Sequence, residues 1–184
     1  MRRLDDLSVF RGRKASLYAW NTETGRAFSS SGNAVVESFS LAEETGAAMP
    51  LFCRYVCSSS IKGNRVHRRK KQNFLSFEFV ANGELYVKSG GNGYIAEEND
   101  LCILREAADH EFFHQDESPC LVWGFIIEGR AVGQLVNLFR LEGISAIHLK
   151  DSERLLKFRQ DFAELLQSEQ TSENMRRNSG LCFE

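Results

Sequence analysis

The chain has 184 residues, a formal charge of −2 and a pI near 6.1. Those values exclude a strongly basic nucleic-acid binder, and 42% hydrophobic residues suit a soluble globular chain with one main domain plus an appendage. Fourteen Phe against three Met favour a sheet-rich core, because flat rings pack well on a pleated surface.

Residues 1–14 are polar and basic (Arg2, Arg3, Arg11, Arg13, Lys14) and read as a mobile arm without the apolar stretch of a secretory signal. Ala15 to Trp20 reads as a short strand and Thr22 to Asn33 as a loop. Ala34–Phe39 and Leu51–Cys57 follow as strands. The five cysteines, Cys53, Cys57, Cys102, Cys120 and Cys182, form no CxxC pair and read as reduced, buried thiols of a cytoplasmic protein. On a strand, Cys53 and Cys57 share one face without completing a metal site.

The central stretch alternates. Leu75, Phe77 and Phe79 share a face, and Asn82-Gly83 then signals a type I′ hairpin. Glu84–Lys88, Gly93–Glu97, Leu101–Leu104 and Asp109–Phe113 read as further strands, with turns at Gly90-Gly91 and at 98–100. Cys120–Ile127 is an almost wholly apolar strand. Short strands broken by turns every eight to ten residues describe a barrel or sandwich. No apolar run is long enough to span a membrane.

After Gly129 the period changes. Val132, Leu135, Val136 and Phe139 fall on one helical face. A second helix is capped by Asp151 or Ser152, with a stripe of Leu155, Phe158, Phe162, Leu165 and Leu166. The two helices read as a hairpin over 129–168, and 169–184 reads as a polar linker.

Four segments in this order carry a family resemblance: Arg68 to Gly83, Glu98 to Leu104, Asp109-His110, and Trp123 to Gly129. The chain resembles the N-terminal domain of AraC-type transcription regulators. Arg68, Asp100, His110 and Trp123 stand at the matching places. The family's Gly before Asp is Asn99 here, and its Pro-Gly turn before His is replaced within Glu106 to Asp109. The resemblance implies a mainly β fold, a cupin-like double-stranded β-helix (jelly-roll) barrel over 15–128, followed by the C-terminal α-helical hairpin. It implies a small-molecule effector, such as a sugar, bound in the barrel by Arg68, Phe77, Phe79, His110, Phe112 and Trp123. It implies a homodimer joined through Leu155, Phe158, Phe162, Leu165 and Leu166. DNA is then reached only through a helix-turn-helix domain beyond 169–184, with no membrane partner.

Catalysis and bound metal are not expected. The His-x-His spacing of metal-dependent cupin enzymes is missing, and the sixth position beyond Gly83 is Ser89. The rival reading is a stand-alone cupin enzyme, a metal-dependent isomerase or dioxygenase. The basic run Arg68 to Lys71 reads as a solvated surface rather than a nucleic-acid site.

Overall fold

The computed structural model describes residues 2–11, 18–21, 26–29, 34–40, 49–61, 66–69, 74–105, 109–116, 118–141, 146–167 and 177. The strands are β1 (Arg2–Leu4), β2 (Tyr18–Asn21), β3 (Arg26–Ser29), β4 (Ala34–Ser40), β5 (Phe52–Ile61), β6 (His67–Arg69), β7 (Leu75–Asn82), β8 (Leu85–Ser89), β9 (Asn92–Ala96), β10 (Asp100–Leu104), β11 (His110–Phe113), β12 (Cys120–Glu128) and β13 (Ala146–His148). The helices are α1 (Val132–Leu138) and α2 (Ser152–Gln167).

Pairing defines the architecture. β5 pairs with β12, β6 with β11, β7 with β10 and β8 with β9, all antiparallel. The eight strands are therefore one long hairpin, its first strand against its last and so inward. Two further pairings, β12 with β7 and β11 with β8, coil that hairpin into two facing sheets. The sheet orders β5-β12-β7-β10 and β6-β11-β8-β9 are those of a jelly roll. β4 and β13 extend the first sheet to six strands, β1 extends the second to five, and β2 and β3 pair separately.

The inner core joins both sheets. Ile61, Val80, Cys102, Leu104 and Val122 from one meet Leu85, Val87, Tyr94, Ala96 and Phe112 from the other. The outer face of the six-stranded sheet is equally apolar: Phe52, Val56, Leu75, Ile103, Phe125 and Ile127 pack with Val132, Leu135, Leu141, Phe162 and Leu165 of the C-terminal segment. β12 is apolar along its length because both of its faces are covered.

Several expectations are corrected. Asn82-Gly83 does not close a hairpin: β7 and β8 lie in different sheets, so Gly83 (φ 88°) turns the corner between them. The true two-residue hairpin is Gly90-Gly91, both at positive φ (55° and 85°), between the paired Ser89 and Asn92. β3 occupies part of the expected Thr22–Asn33 loop. Asn99, at φ 71°, takes the left-handed conformation required at its turn.

The N-terminal residues do not hang free. β1 pairs with β9, Leu4, Leu7 and Val9 pack on Val66, Phe113 and Tyr86, and Arg2 pairs with Glu84 and Glu97. Residues 12–14 of the expected arm lie outside the described residues, as does 169–184 apart from Arg177, which pairs with Glu164.

The helices are not joined directly. β13 comes between them and pairs with β10, since a short extended segment beside an open sheet edge satisfies its backbone groups there. α1 ends early, with Leu141 N–H donating to Val136 O and Arg140 N–H to Asn137 O around a left-handed Arg140 (φ 51°). Phe139 is left outside the helix and exposed rather than on its buried stripe. Asp151 caps α2, accepting from the amides of Glu153 and Arg154.

Two substitutions test this backbone description. At Gly129 (φ 130°), a Cβ would stand 2.2 Å from Pro50 O. Gly129→Ala is expected to cost at least about 2 kcal/mol in urea denaturation, from strain and backbone displacement together. Arg140→Gly is expected to stabilise by about 0.5–1 kcal/mol, because glycine holds the left-handed position without a Cβ penalty. Unchanged midpoints would contradict the assigned turns.

Candidate functional site

The inner wall of the barrel is where both sheets bring polar groups together. One row crosses the six-stranded sheet: Cys57 on β5, Gly124 on β12, Glu78 on β7 and Cys102 on β10, each paired to the next. Paired residues of a ladder share a face, and Cys102 belongs to the inner core, so the whole row points inward. Glu78 is 3% exposed, and Ser76 Oγ, one inward position along β7, donates to Glu78 Oε1 at 2.9 Å. Gly124 makes room for the carboxylate. A Cβ there would lie 2.5 Å from Glu78 Oε2 and 3.0 Å from Cys57 Sγ.

From the opposite sheet comes Tyr94 on β9, which packs in the same buried cluster as Cys102. Burial pushes the Tyr94 phenol and the Cys102 thiol far above their ordinary ranges, and the Glu78 charge raises both further. Cys120 is pushed up to about 12 by burial, with Glu84 adding. Among the described residues, Cys53, Cys57, Cys102 and Cys120 are buried and form no disulfide, as expected of them. Cys53 and Cys57 do not share a face, however. A bulge at Arg54 lets Ile126 and Ile127 pair with Tyr55 and Cys53, and Cys53 joins the outer core.

His110 faces inward from β11, buried, with Nε2–H donating to Arg105 O at 2.9 Å. Phe112 lies two residues on, in the inner core. His114 closes the far end of β11. Its Nδ1 lies 2.6 Å from Glu84 O and its Nε2 2.6 Å from Ser118 O.

The six residues expected to line the barrel therefore separate. His110 and Phe112 face the interior. Phe77, Phe79 and Trp123 lie on the outer face, under the helices: Phe77 stacks on Phe125 at 4.7 Å, and Trp123 lies flat on Phe162 at 5.2 Å. The alternation of β7 was legible, but which set faces the lumen depends on how the sheet is covered. Arg68 stands opposite Glu111 in the β6–β11 ladder, and its side chain lies outside the described residues. Sequence reasoning does not single out Ser76, Glu78 or Tyr94. The only signal for Glu78 was a lone carboxylate in an apolar, alternating strand.

Of the expected dimer stripe, Phe162 and Leu165 are buried against the chain's own sheet, with Phe158 and Leu166 beside them. Arg159 pins α2 down, its guanidinium 5.4 Å from the ring centres of both Phe79 and Trp123 and donating to Asn99 Oδ1 at 3.1 Å. Leu155 is half-buried and Leu156 is exposed.

The turn beneath is held by Asp100, fully buried, which accepts from Glu97 N–H at 2.8 Å and from His148 Nδ1 at 2.7 Å. Burial opposes its ionisation, but the Glu97 amide and the His148 ring outweigh that and hold the carboxyl below the usual range.

The fold is a cupin-like jelly roll. Its strand order establishes this. No protein-family model matches the chain, and no curated protein matches it. Among solved structures it is similar to the Cupin_2 domain of an XRE family transcriptional regulator from Enterobacter cloacae, at 14% identity over 51% of this chain and 95% of that one, with TM-score 0.42. It is likewise similar to a predicted oxalate decarboxylase from Thermotoga maritima, at 13% identity, 62% and 93% coverage and TM-score 0.43. A third is KdgF from Halomonas sp., at 8% identity, 58% and 90% coverage and TM-score 0.42. Among the described residues no three His, Cys, Asp or Glu side chains group as a metal-ligand set, and no helix is long and apolar enough to cross a membrane.

Two measurements check this site. In the native protein the thiols of Cys53, Cys57, Cys102 and Cys120 are expected to resist Ellman's reagent and to react on denaturation, because burial keeps the reagent from them. Rapid native labelling at Cys102 or Cys120, read by mass spectrometry, would contradict it. Asp100 has its folded pKa lowered, so its stabilisation is full above the unfolded value of about 3.9 and is lost as pH falls through the folded value. Asp100→Asn is expected to cost about 1–3 kcal/mol at neutral pH, with the difference shrinking below about pH 4.

Proposed function

We propose that this chain is the effector-sensing and dimerising part of an AraC-type transcription regulator. The observation that carries this reading is the polar inner layer. Ser76 and Glu78 from one sheet and Tyr94 and His110 from the other are buried on the inner side of a jelly roll, and a few polar groups set among apolar walls are what orients a small ligand. The order of the sequence segments that resemble the family supports it further.

The effector, a sugar or related metabolite, occupies this interior beside His110 and Phe112. It acts by binding two states of the regulator with different affinity. β10 supplies the route outward: it carries Cys102 inside, and its first residue, Asp100, follows Asn99, which receives Arg159 of α2. Phe79 and Trp123 lie between the inner wall and α2 on the same strands as Glu78 and Gly124. They transmit rather than line. α2 joins two copies through its exposed side, with Leu156 and Leu155, while Phe162 and Leu165 hold it to its own barrel. DNA binding belongs to a further C-terminal domain.

Light scattering on the purified chain is expected to show a dimer at micromolar concentration, weakened by Leu156→Asp with little change in melting temperature. Phe162→Ala is expected instead to cost about 3–5 kcal/mol of folding stability, as for a buried ring. A wild-type chain that stays monomeric with or without effector would overturn the dimerising role.

A further inference from the structure

Each of the two facing sheets ends in two edge strands: β1 and β6 in one, β4 and β13 in the other. A bare edge invites another strand, and charged residues are a common protection against it. β1 carries Arg2 and Arg3, β6 carries Arg68 and Arg69, and β4 carries Glu37. β13 carries only His148, and that ring is turned to the buried Asp100, with Nδ1 lying 2.7 Å from Oδ1. The central residue of β13, Ile147, is apolar and 40% exposed. Leu149 N–H donates to Asn99 O at 3.0 Å, which sets the phase of the ladder. With Asp100 opposite His148 and Leu101 opposite Ile147, it is Ile147 that turns its N–H and C=O to β10. The N–H and C=O of Ala146 and His148 therefore point out of the sheet, and no described strand lies beyond them.

We propose that β13 is the strand through which two copies of this chain pair, antiparallel and about a two-fold axis at Ile147. The pairing rests on the dimerising role of α2 and names the backbone element that joins it there. About such an axis Ala146 meets the partner's His148, each offering the outward N–H and C=O that the other needs. Ile147 meets the partner's Ile147 as a non-hydrogen-bonded pair, the closer of the two kinds, so two apolar side chains touch and no like charges face each other. Ile147 shares the face of Leu101 and Phe79, the side that α2 covers. α2 enters on that side from the β13 edge: Arg159 reaches Asn99, next to β10, and Phe162 farther along lies on Trp123 of β12. The first turns of α2, with half-buried Leu155 and exposed Leu156, therefore stand at the same edge as Ile147. A three-residue strand alone is too small for a stable interface, which buries roughly 800 Å² on each partner. Leu155 and Leu156 extend it. A short, self-complementary edge suits a second copy, whereas a long foreign strand would find little ladder on it.

The test is hydrogen exchange of the full chain, followed amide by amide by NMR, at concentrations on either side of the dimer midpoint found by light scattering. The Ala146 and His148 amides are expected to exchange about tenfold or more slowly in the dimer than in the monomer. The Ile147 amide, bonded to Leu101, is expected to be protected equally in both. Ile147→Lys puts like charges on the axis and is expected to raise the dimer dissociation constant about tenfold or more, with the monomer still folded because the site is exposed. A dimer whose Ala146 and His148 amides exchange as in the monomer would overturn the proposal and leave the α2 interface standing. So would Ile147→Lys dimerising as wild type does. Protection of both amides in a strict monomer would put a segment of the same chain on this edge and would overturn it too. A strict monomer with both amides open sinks the dimerising reading as well. A dimer that survives Leu156→Asp with both amides protected sinks the α2 contact alone. Should Ile147→Lys not fold, exchange at the wild-type amides decides by itself.

Discussion

The six-stranded sheet is covered on both faces, and the rest of the molecule answers that constraint. One face closes against the five-stranded sheet and forms the barrel interior. The other has to be covered from outside, and α1 and α2 cover it with Val132, Leu135, Phe162 and Leu165. The hydrophobic effect has no direction of its own. Here the alternation of β7 and β12 gives it one, sending Phe77, Phe79, Trp123 and Phe125 outward and Glu78, Val80, Val122 and Gly124 inward.

This division separates two kinds of chemistry by the thickness of one sheet. On the outer side, large rings stack, with a guanidinium lying over two of them. Among the described residues, the inner side carries small polar side chains, thiols and the Glu78 carboxylate beside its apolar groups. The two sides share backbone, so whatever displaces Glu78 or Cys102 also displaces the strands that carry Phe79 and Ile103. The Glu97–Asp100 turn is the meeting point: it receives Arg2 from the N-terminal strand, His148 from β13 and Arg159 from α2. A sensor needs such a junction, because ligand binding inside is useful only if outer elements feel it.

Much of the strand order was legible because alternation and turn residues are local signals. Leu75–Asn82, Asn92–Ala96, Asp100–Leu104 and Cys120–Glu128 fall within a residue or two of their expected places. Asn99 took the left-handed conformation that its place in the turn calls for. The sequence leaves open those features where a local signal has two tertiary solutions. Asn82-Gly83 suits a tight hairpin and also suits a corner between sheets. Leu155 to Leu166 suits a shared helix face and also suits a helix lying on its own barrel. β13 is three residues long and gains its place only from the edge of β10.

The sequence by itself determined the class of fold, the rough bounds of most of the central strands and the burial of Cys53, Cys57, Cys102 and Cys120, but not β6, which lies in the basic run around Arg68. Those follow from side-chain periodicity and turn chemistry, which act within a few residues. Tertiary structure alone decided which face of each strand is the lumen, and hence that Glu78, Ser76 and Tyr94 line it while Phe77, Phe79 and Trp123 do not. The reason is physical. A period of two sorts residues into two faces but does not label them, and the label comes only when distant elements settle which face the second sheet covers and which the helices take.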